Sequence, residues 1–422
     1  MKSFSRNVGG ATYELSPSDL LRVCRDLAWS EIAAMPGILS RLGPRLRYLQ
    51  TNDMLDWSLD GLALDSLACM QLATAAAVWC NSCDTGFGDL YLEKCNVQGW
   101  AETMHVARSS GTTDTTFSTS GSTGKRQHIS HSYDALVDEA RCWAQVLHAD
   151  ATPVNRIVTL VPCHHIYGFI WGVLLPKLLG VPVLETSHEA MTEFQAGDLV
   201  VGVPDQWQWM AGSARLGTVP MQGVTSTAPM PDLLHQRLVF AERTSQPLLT
   251  RLLQIYGSTQ TGGVGWRDNP DTPYNLAPGR RRSANGGIEL LLSEGSLVPL
   301  AIQDELRWST MDQFELLRRI DSCVQIAGHN VSTNWVREQL LAYPAVNDAS
   351  VRLDSASPIP RLKAFVVLKA PADQSQKTGL QAWALHMLPW YAALGSICYG
   401  TELPLNIMGK PSDWPVNNSD SL

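Results

Sequence analysis

Residues 117–125 read Phe117-Ser118-Thr119-Ser120-Gly121-Ser122-Thr123-Gly124-Lys125, a run of small hydroxyl side chains set between glycines. Glycine lets a backbone come close to an anion, and the N–H and O–H groups of such a loop then aim donors at phosphate oxygens. The polar run Ser109 to Thr116 leads into the loop as a strand entry, and a helical pattern begins at Ser132. The loop is not of the GxxxxGK kind, which would need glycine where Thr119 stands.

Outward from this loop, the chain alternates short apolar runs with helical stretches. Strands are expected at Ile157–Val161, Val181–Leu184, Leu199–Val203, Leu252–Tyr256, Ile288–Leu292 and Val324–Ile326, with helices such as Ser132–His148 and Pro231–Arg243 between them. That alternation predicts an α/β body over residues 111–320. From 321 to 422 a smaller α+β unit is expected, with a helix at Asn334–Ala342, strands at Ala349–Leu353 and Ala364–Leu368, and a helix near Leu380–His386. Residues 1–110 read as mostly helical, with helices over Ser16–Leu27 and Leu67–Cys80.

Composition restricts the class. Hydrophobic residues are 45% and charged residues 17% of 422, an ordinary globular balance with ample material for two or three domains. A net charge of −8 argues against a nucleic-acid or anionic-membrane partner, although Arg280, Arg281 and Arg282 make a local basic patch. Of nine scattered cysteines only Cys80 and Cys83 have CxxC spacing, and no second pair stands ready to complete a zinc site, which speaks for reduced thiols. The N-terminus lacks the apolar core of a secretory signal, and the apolar stretch Ile157 to Leu184 is broken by histidines, a lysine and prolines. A cytoplasmic protein is the expectation.

Four more stretches carry chemistry. Tyr256-Gly257-Ser258-Thr259-Gln260-Thr261-Gly262-Gly263 follows an apolar strand, the place where α/β sheets bind ligands. Its tyrosine could stack on a purine and Thr259 could reach a phosphate; the plain alternative is a tight turn that needs glycine. Arg318-Arg319-Ile320-Asp321 precedes Val324-Gln325-Ile326-Ala327-Gly328, and Pro404 to Lys410 ends in Gly409-Lys410. A terminal lysine is ordinarily solvated, but a preceding glycine frees the backbone to deliver an ammonium into a site. Val161-Pro162-Cys163-His164-His165-Ile166-Tyr167-Gly168-Phe169 offers a histidine beside aromatic residues.

In this order, the residues from about 117 to 411 resemble the ANL superfamily of adenylate-forming ligases: acyl- and aryl-CoA synthetases, peptide-synthetase adenylation domains and luciferases. The resemblance implies that Thr119, Ser120, Gly121, Ser122, Thr123 and Gly124 cradle the phosphates of ATP. It implies that Tyr256, Gly257, Ser258 and Thr259 line the nucleotide, and that Asp312 and Arg319 hold the ribose. Asp321 would be the hinge of the small domain, and Lys410 the catalytic lysine. His165, with Tyr167, Phe169, Ser226, Thr227, Ala228 and Gly262, would border the acid. The form VPCHHIYGFIWGVLLP, with Gly197 to Pro204 later, is similar to the short ligases that load aryl acids for aryl-polyene and xanthomonadin-type pigments. This implies a hydroxybenzoate, 3-hydroxybenzoate above all, and a holo acyl carrier protein as acceptor. Free coenzyme A is the alternative acceptor, and a non-catalytic nucleotide-binding relative the alternative of another class.

The sequence also departs from that pattern. Gln260 stands where the family has a glutamate that helps hold Mg²⁺, and an amide is a weaker ligand for a hard dication. Arg126 and Gln127 replace the usual Pro-Lys after the loop, Arg318 replaces a glycine, Gln325 replaces a lysine, and Asp312 lies close to Arg319. Only 116 residues precede the loop. Within them, Asp65-Ser66-Leu67 resembles the phosphopantetheine site of carrier proteins, so a carrier-like fold is one expectation for this region; Asp65 and Ser66 capping the next helix is the other.

Overall fold

The computed structural model describes residues 14–416 except 36, 39–41, 44–51, 59–61, 112–113, 120–125, 149–152, 186–193, 213–218, 240–248, 293–294, 320–322, 328, 355–356, 358–359, 370–373 and 405–411. The chain opens with helices. Ser16 caps Pro17–Ala34 reciprocally: its hydroxyl accepts from Asp19 N–H, and the Asp19 carboxylate accepts from Ser16 N–H at 2.9 Å. Leu20, Val23, Cys24 and Leu27 recur at helical spacing and are buried. Asp65 caps Ser66–Trp79 by accepting from Ala68 N–H at 2.8 Å, and Ser66 is the exposed first residue of that helix. Helices Gly88–Glu93 and Val97–Ser109 follow.

A single apolar core runs from Leu15 through Trp57, Trp100, Phe117 and Trp143 to Ala277. The N-terminal helices therefore belong to the core of the α/β body. Packing is continuous across residue 110, the expected end of the helical region.

Strands β1 (Asp114–Thr119) and β2 (Gln127–Ser132) form an antiparallel hairpin in which Thr119 pairs with Gln127 on either side of the hydroxyl-rich loop. After helix Tyr133–His148 come β3 (Arg156–Thr159), β4 (Val183–Glu185), β5 (Asp198–Gly202), β6 (Gln222–Thr225) and β7 (Arg251–Ser258), all parallel. Every residue of β5 and β6 is buried, as befits strands covered on both faces. β8 (Gly262–Arg267) and β9 (Tyr274–Leu276) continue the sheet antiparallel. A separate antiparallel sheet holds β10 (Arg280–Arg282), β11 (Ile288–Leu291) and β12 (Leu297–Pro299). The hairpin β13 (Asp304–Trp308) and β14 (Gln313–Arg319) then completes a nine-stranded sheet of order β13-β14-β9-β8-β7-β6-β5-β3-β4.

The C-terminal unit has its own core, from Ile326 to Ile397. It contains the hairpin β15 (Cys323–Ile326) and β16 (His329–Ser332), helix Thr333–Leu341, and β17 (Val346–Leu353) antiparallel to β18 (Leu362–Leu368). Helix Gln374–Met387 leads to β19 (Leu394–Gly400), parallel to β18. None of the nine cysteines is in a disulfide. No helix among the described residues is long and apolar enough to cross a membrane.

Candidate active site

The carboxyl ends of β3, β5, β6 and β7 share one edge of the sheet, and the loops leaving them are tied to one another. Gln206 donates to Leu160 O at 2.6 Å and accepts from Val203 N–H at 2.9 Å, clamping the exits of β3 and β5 together. Tyr167 donates from Oη to Gly202 O at 3.1 Å, and Ser226 donates to Ile255 O at 3.0 Å. The next residue, Thr227, has φ of 75°, a costly conformation for a β-branched side chain. Its hydroxyl and that of Thr225 are buried with no partner among the described residues. Strain and unspent donors together at a strand end mark a place prepared for something to bind.

The motif after β3 has a steric explanation. Helix Ile166–Phe169 continues through a wide π-helical turn, Ile170–Leu174, into Leu175–Leu179, and starts tight against the preceding loop. A Cβ on Gly168 would lie 2.1 Å from Pro162 O, so only glycine permits that approach. The turn presents His164 and His165 with ring centroids 4.0 Å apart. His164 is buried, and its carbonyl accepts from Trp79 Nε1 at 3.1 Å. Burial pushes its imidazolium well below the usual histidine range, helped by the neighbouring His165 and Arg126 charges. His165 is exposed, yet enough protein lies around it for desolvation to bring its pKa down to about 4, with His329 and Arg126 adding to the effect. At neutral pH His165 is therefore an uncharged hydrogen-bonding group, not a fixed cation. Of the expected pocket residues, Phe169 is buried against Trp79 and Phe117, while Trp171 packs on Trp143 at 5.6 Å and on Tyr167 at 6.5 Å.

The loop after β7 is braced from within. Ser258 N–H donates to Thr261 Oγ1 at 3.1 Å, Thr261 N–H donates to Ser258 Oγ at 3.2 Å, and Thr261 Oγ1 donates to Gly262 O at 2.9 Å. His131 Nε2 on β2 donates to Thr259 O at 2.7 Å and so joins this loop to the β1–β2 hairpin. The Thr259 hydroxyl has no bond among the described residues. At Gly262, φ is 63° and a Cβ would come 2.1 Å from the Glu139 carboxylate. That buried carboxylate accepts from Gly263 N–H at 2.7 Å and Trp143 Nε1 at 3.1 Å, and pairs with Arg280 at 3.4 Å.

Tyr256 sits among Tyr274 and Phe314 with ring centroids 5.8 Å away in each case. Its hydroxyl donates to Asp304 Oδ2 at 2.7 Å, and Arg319 lies close enough for its charge to act on the phenol. Burial, then Asp304, pushes that phenol far above its ordinary range. In the β13–β14 hairpin Asp304 pairs directly with Arg319. Asp312 does not join them: it lies exposed in the turn of that hairpin, where its N–H donates to Thr310 Oγ1 at 3.3 Å. Asp304 is not among the residues the sequence singles out; the turn-like Ser309-Thr310-Met311-Asp312 is the one signal of the hairpin that carries residue 304 back to 319.

Ser120, Gly121, Ser122, Thr123, Gly124, Asp321 and Lys410 lie outside the described residues. On the flanks of the Lys410 segment, Ser412 N–H donates to Pro404 O at 2.8 Å, and buried Lys363 donates to Trp414 O at 2.7 Å. Gln260 is exposed, and no group of three or more His, Cys, Asp or Glu among the described residues could hold a metal. The basic patch is smaller than it reads in the sequence: Arg280 is buried against Glu139, Arg282 covers the Trp308 ring at 4.9 Å, and only Arg281 and Arg282 face outward.

Residues 93–299 match the family described as AMP-binding enzyme. A 4-coumarate–CoA ligase of Halorhodospira halophila is 34% identical over 405 residues, covering 94% of this chain and 99% of that protein. Another, of Cereibacter sphaeroides, is 34% identical over 367 residues, 84% of each. Solved structures with this fold include an o-succinylbenzoate CoA synthetase of Bacillus subtilis, at TM-score 0.53 and 16% identity over 70% of this chain and 67% of that one. An amide bond synthetase of Marinactinospora thermotolerans matches at TM-score 0.53 and 16% identity over 93% of this chain and 92% of that one. The strand-end site and these relatives agree: the chain belongs to the AMP-binding enzymes of the ANL superfamily of adenylate-forming ligases and is an ATP-dependent, AMP-forming acid–thiol ligase.

Proposed function

We propose that the chain activates an aromatic carboxylic acid as aryl-AMP and passes the aryl group to a phosphopantetheine thiol. The observation that carries this reading is the meeting, at one sheet edge, of the His165–Tyr167 turn, the strained Thr227 and the Tyr256–Asp304–Arg319 group. A carboxylate oxygen attacks the α-phosphorus of ATP in line, the α–β bridging bond breaks, and pyrophosphate leaves. The thiol sulfur then attacks the acyl carbon and AMP leaves. Positioning and charge complementarity are what the protein adds to both steps.

In this reading the loop from Thr119 to Gly124 holds the phosphates, and Tyr256, Gly257, Ser258 and Thr259 border the nucleotide. Asp304, in place of Asp312, accepts from the ribose hydroxyls beside Arg319. Neutral His165 borders the acid together with Tyr167, Ser226, Thr227, Ala228 and Gly262, while Asp321 is the hinge of the small domain. Mg²⁺ would enter on the phosphates of ATP and neutralise part of their charge, with Gln260 offering at most a neutral oxygen. Lys410 supplies positive charge where the phosphorane accumulates negative charge. Lys410→Ala is expected to abolish adenylate formation while ATP binding stays nearly intact; wild-type adenylation in that variant would refute the role.

Two acid and acceptor pairs have specific support. The likeness of VPCHHIYGFIWGVLLP to the short aryl-acid ligases favours a one-ring acid such as 3-hydroxybenzoate, with holo acyl carrier protein as acceptor. The names of the relatives favour a hydroxycinnamate and coenzyme A. Acid-dependent pyrophosphate exchange over a panel of benzoates and cinnamates, followed by transfer to CoA or to holo carrier protein, separates them. Absence of exchange with every aromatic acid would sink the proposal.

A further inference from the structure

Arg126 is the first described residue after the hydroxyl-rich loop, and its environment is unusual for a surface arginine. Its Nη1 donates to a carboxylate oxygen of Glu31, which comes from the N-terminal helix Pro17–Ala34. Glu31 is only 5% exposed, and Arg126 is its only partner among the described residues. Burying a carboxylate is costly unless it is paired. The Arg126 guanidinium is the group that offsets this cost. That guanidinium is still half exposed, and its other N–H groups have no acceptor among the described residues. The same guanidinium stands near enough to His164 and His165 for its charge to act on both imidazoles. A fixed cation thus sits at the start of β2, directly after the hydroxyl-rich loop and beside the His164–His165 turn.

The neighbouring candidates do not supply that charge. Gln127 is neutral and paired in register with Thr119, and both histidines are uncharged at neutral pH. A guanidinium oriented by a carboxylate on one edge keeps its remaining donors in a fixed fork that suits phosphate oxygens. We propose that Arg126, positioned by Glu31, is a binding residue for the β,γ-phosphate end of ATP, and that the N-terminal helix thereby completes the nucleotide site. This rests on the chain's use of ATP and not on the identity of the acid.

Equilibrium binding of ATP and of AMP, titrated separately against the full chain, tests it without any turnover. Arg126→Ala is expected to weaken ATP at least tenfold and AMP less than twofold, because AMP lacks the β- and γ-phosphates. Arg126→Lys keeps the charge and should recover ATP affinity to within about threefold of wild type, whereas Glu31→Gln, which leaves the arginine unoriented, should weaken ATP threefold to fivefold and spare AMP. Thermal unfolding of each variant shows whether it is folded; Arg126→Lys and Glu31→Gln remain readable if Arg126→Ala is not. Equal losses for ATP and AMP, or none for either, would overturn the assignment and leave the pair as a tether between helix and hairpin. Wild-type ATP binding without acid-dependent exchange would count against acid activation while leaving this inference standing.

Discussion

The nine-stranded sheet has two halves that meet at β7 and are specified in different ways. In the parallel half, β4-β3-β5-β6-β7, the central strands β5 and β6 are buried at every residue, and β5 reads in the sequence as an apolar run. In the antiparallel half, β8, β9, β14 and β13, the outermost strand alternates half-buried and exposed residues and carries Asp304, Glu305 and Arg307. Burial of apolar surface fixes the first half. Register, an aromatic cluster around Phe314 and the pairing of Arg307 with Glu315 fix the second. The first is thus a rigid frame whose strand ends aim loops, and the second can spend polar side chains on a ligand because so few of its positions must be apolar.

The sharpest way to break that contrast is to put the same charge into each half. Val201→Asp places a carboxylate at a fully buried position of β5 with no partner, and is expected to cost more than about 4 kcal/mol or to prevent folding. Leu317→Asp, at a β14 position 50% exposed, should change stability by no more than about 0.5 kcal/mol. Urea unfolding and soluble yield report both. Comparable losses would mean that β14 is as dependent on apolar burial as β5.

A second comparison lies within one hairpin. Asp304 is bonded by Tyr256 and paired with Arg319, whereas Asp312 is exposed in the turn. Asp304→Asn is expected to weaken AMP binding at least tenfold, about 1.4 kcal/mol, and Asp312→Asn less than twofold. Calorimetric titration of AMP against both variants decides it, and a reversed order would restore Asp312 to the nucleotide.

How much the sequence reveals follows the same division. Strands β3, β5 and β7 and helix Tyr133–His148 are readable because deep burial demands apolar runs or a clean helical stripe. β6 is missed because Gln222-Gly223-Val224-Thr225 holds one strongly apolar residue, and its burial comes from neighbours on both faces. β13 and β14 are missed because alternation on a half-exposed sheet is weak and their turn lacks glycine. The site divides likewise. The loop at 117–124 and the turn at 256–263 announce themselves through glycine and hydroxyl residues, since backbone approach requires them. Asp304, Glu139 and Glu31 are single acids whose significance arises only when strands and helices far apart in sequence bring a phenol, an indole or a guanidinium against them.

The smallest expected effect tests how the parallel half tolerates charge at all. Asp26, on the first helix, accepts from Cys163 N–H at 2.6 Å in the turn after β3. Burial raises its pKa to about 7; the Cys163 N–H opposes that shift, Glu185 adds to it, and Arg25 opposes it. A carboxyl whose folded pKa lies above the unfolded value contributes stability that is complete below about pH 4 and is lost as pH rises through about 7. Asp26→Asn keeps an acceptor for the Cys163 N–H without the buried charge. The variant should therefore match wild type near pH 4 and exceed it by about 1 kcal/mol at pH 8, less than the full shift implies because water reaches part of the side chain. His164 and His165 titrate in the opposite sense, with stability lost as pH falls below the ordinary histidine value, and they contribute equally to both proteins. Urea midpoints at the two pH values isolate Asp26. A variant less stable than wild type at pH 8 would mean that Asp26 is held ionised against Arg25, and that the parallel half, like the antiparallel one, carries a charge it needs.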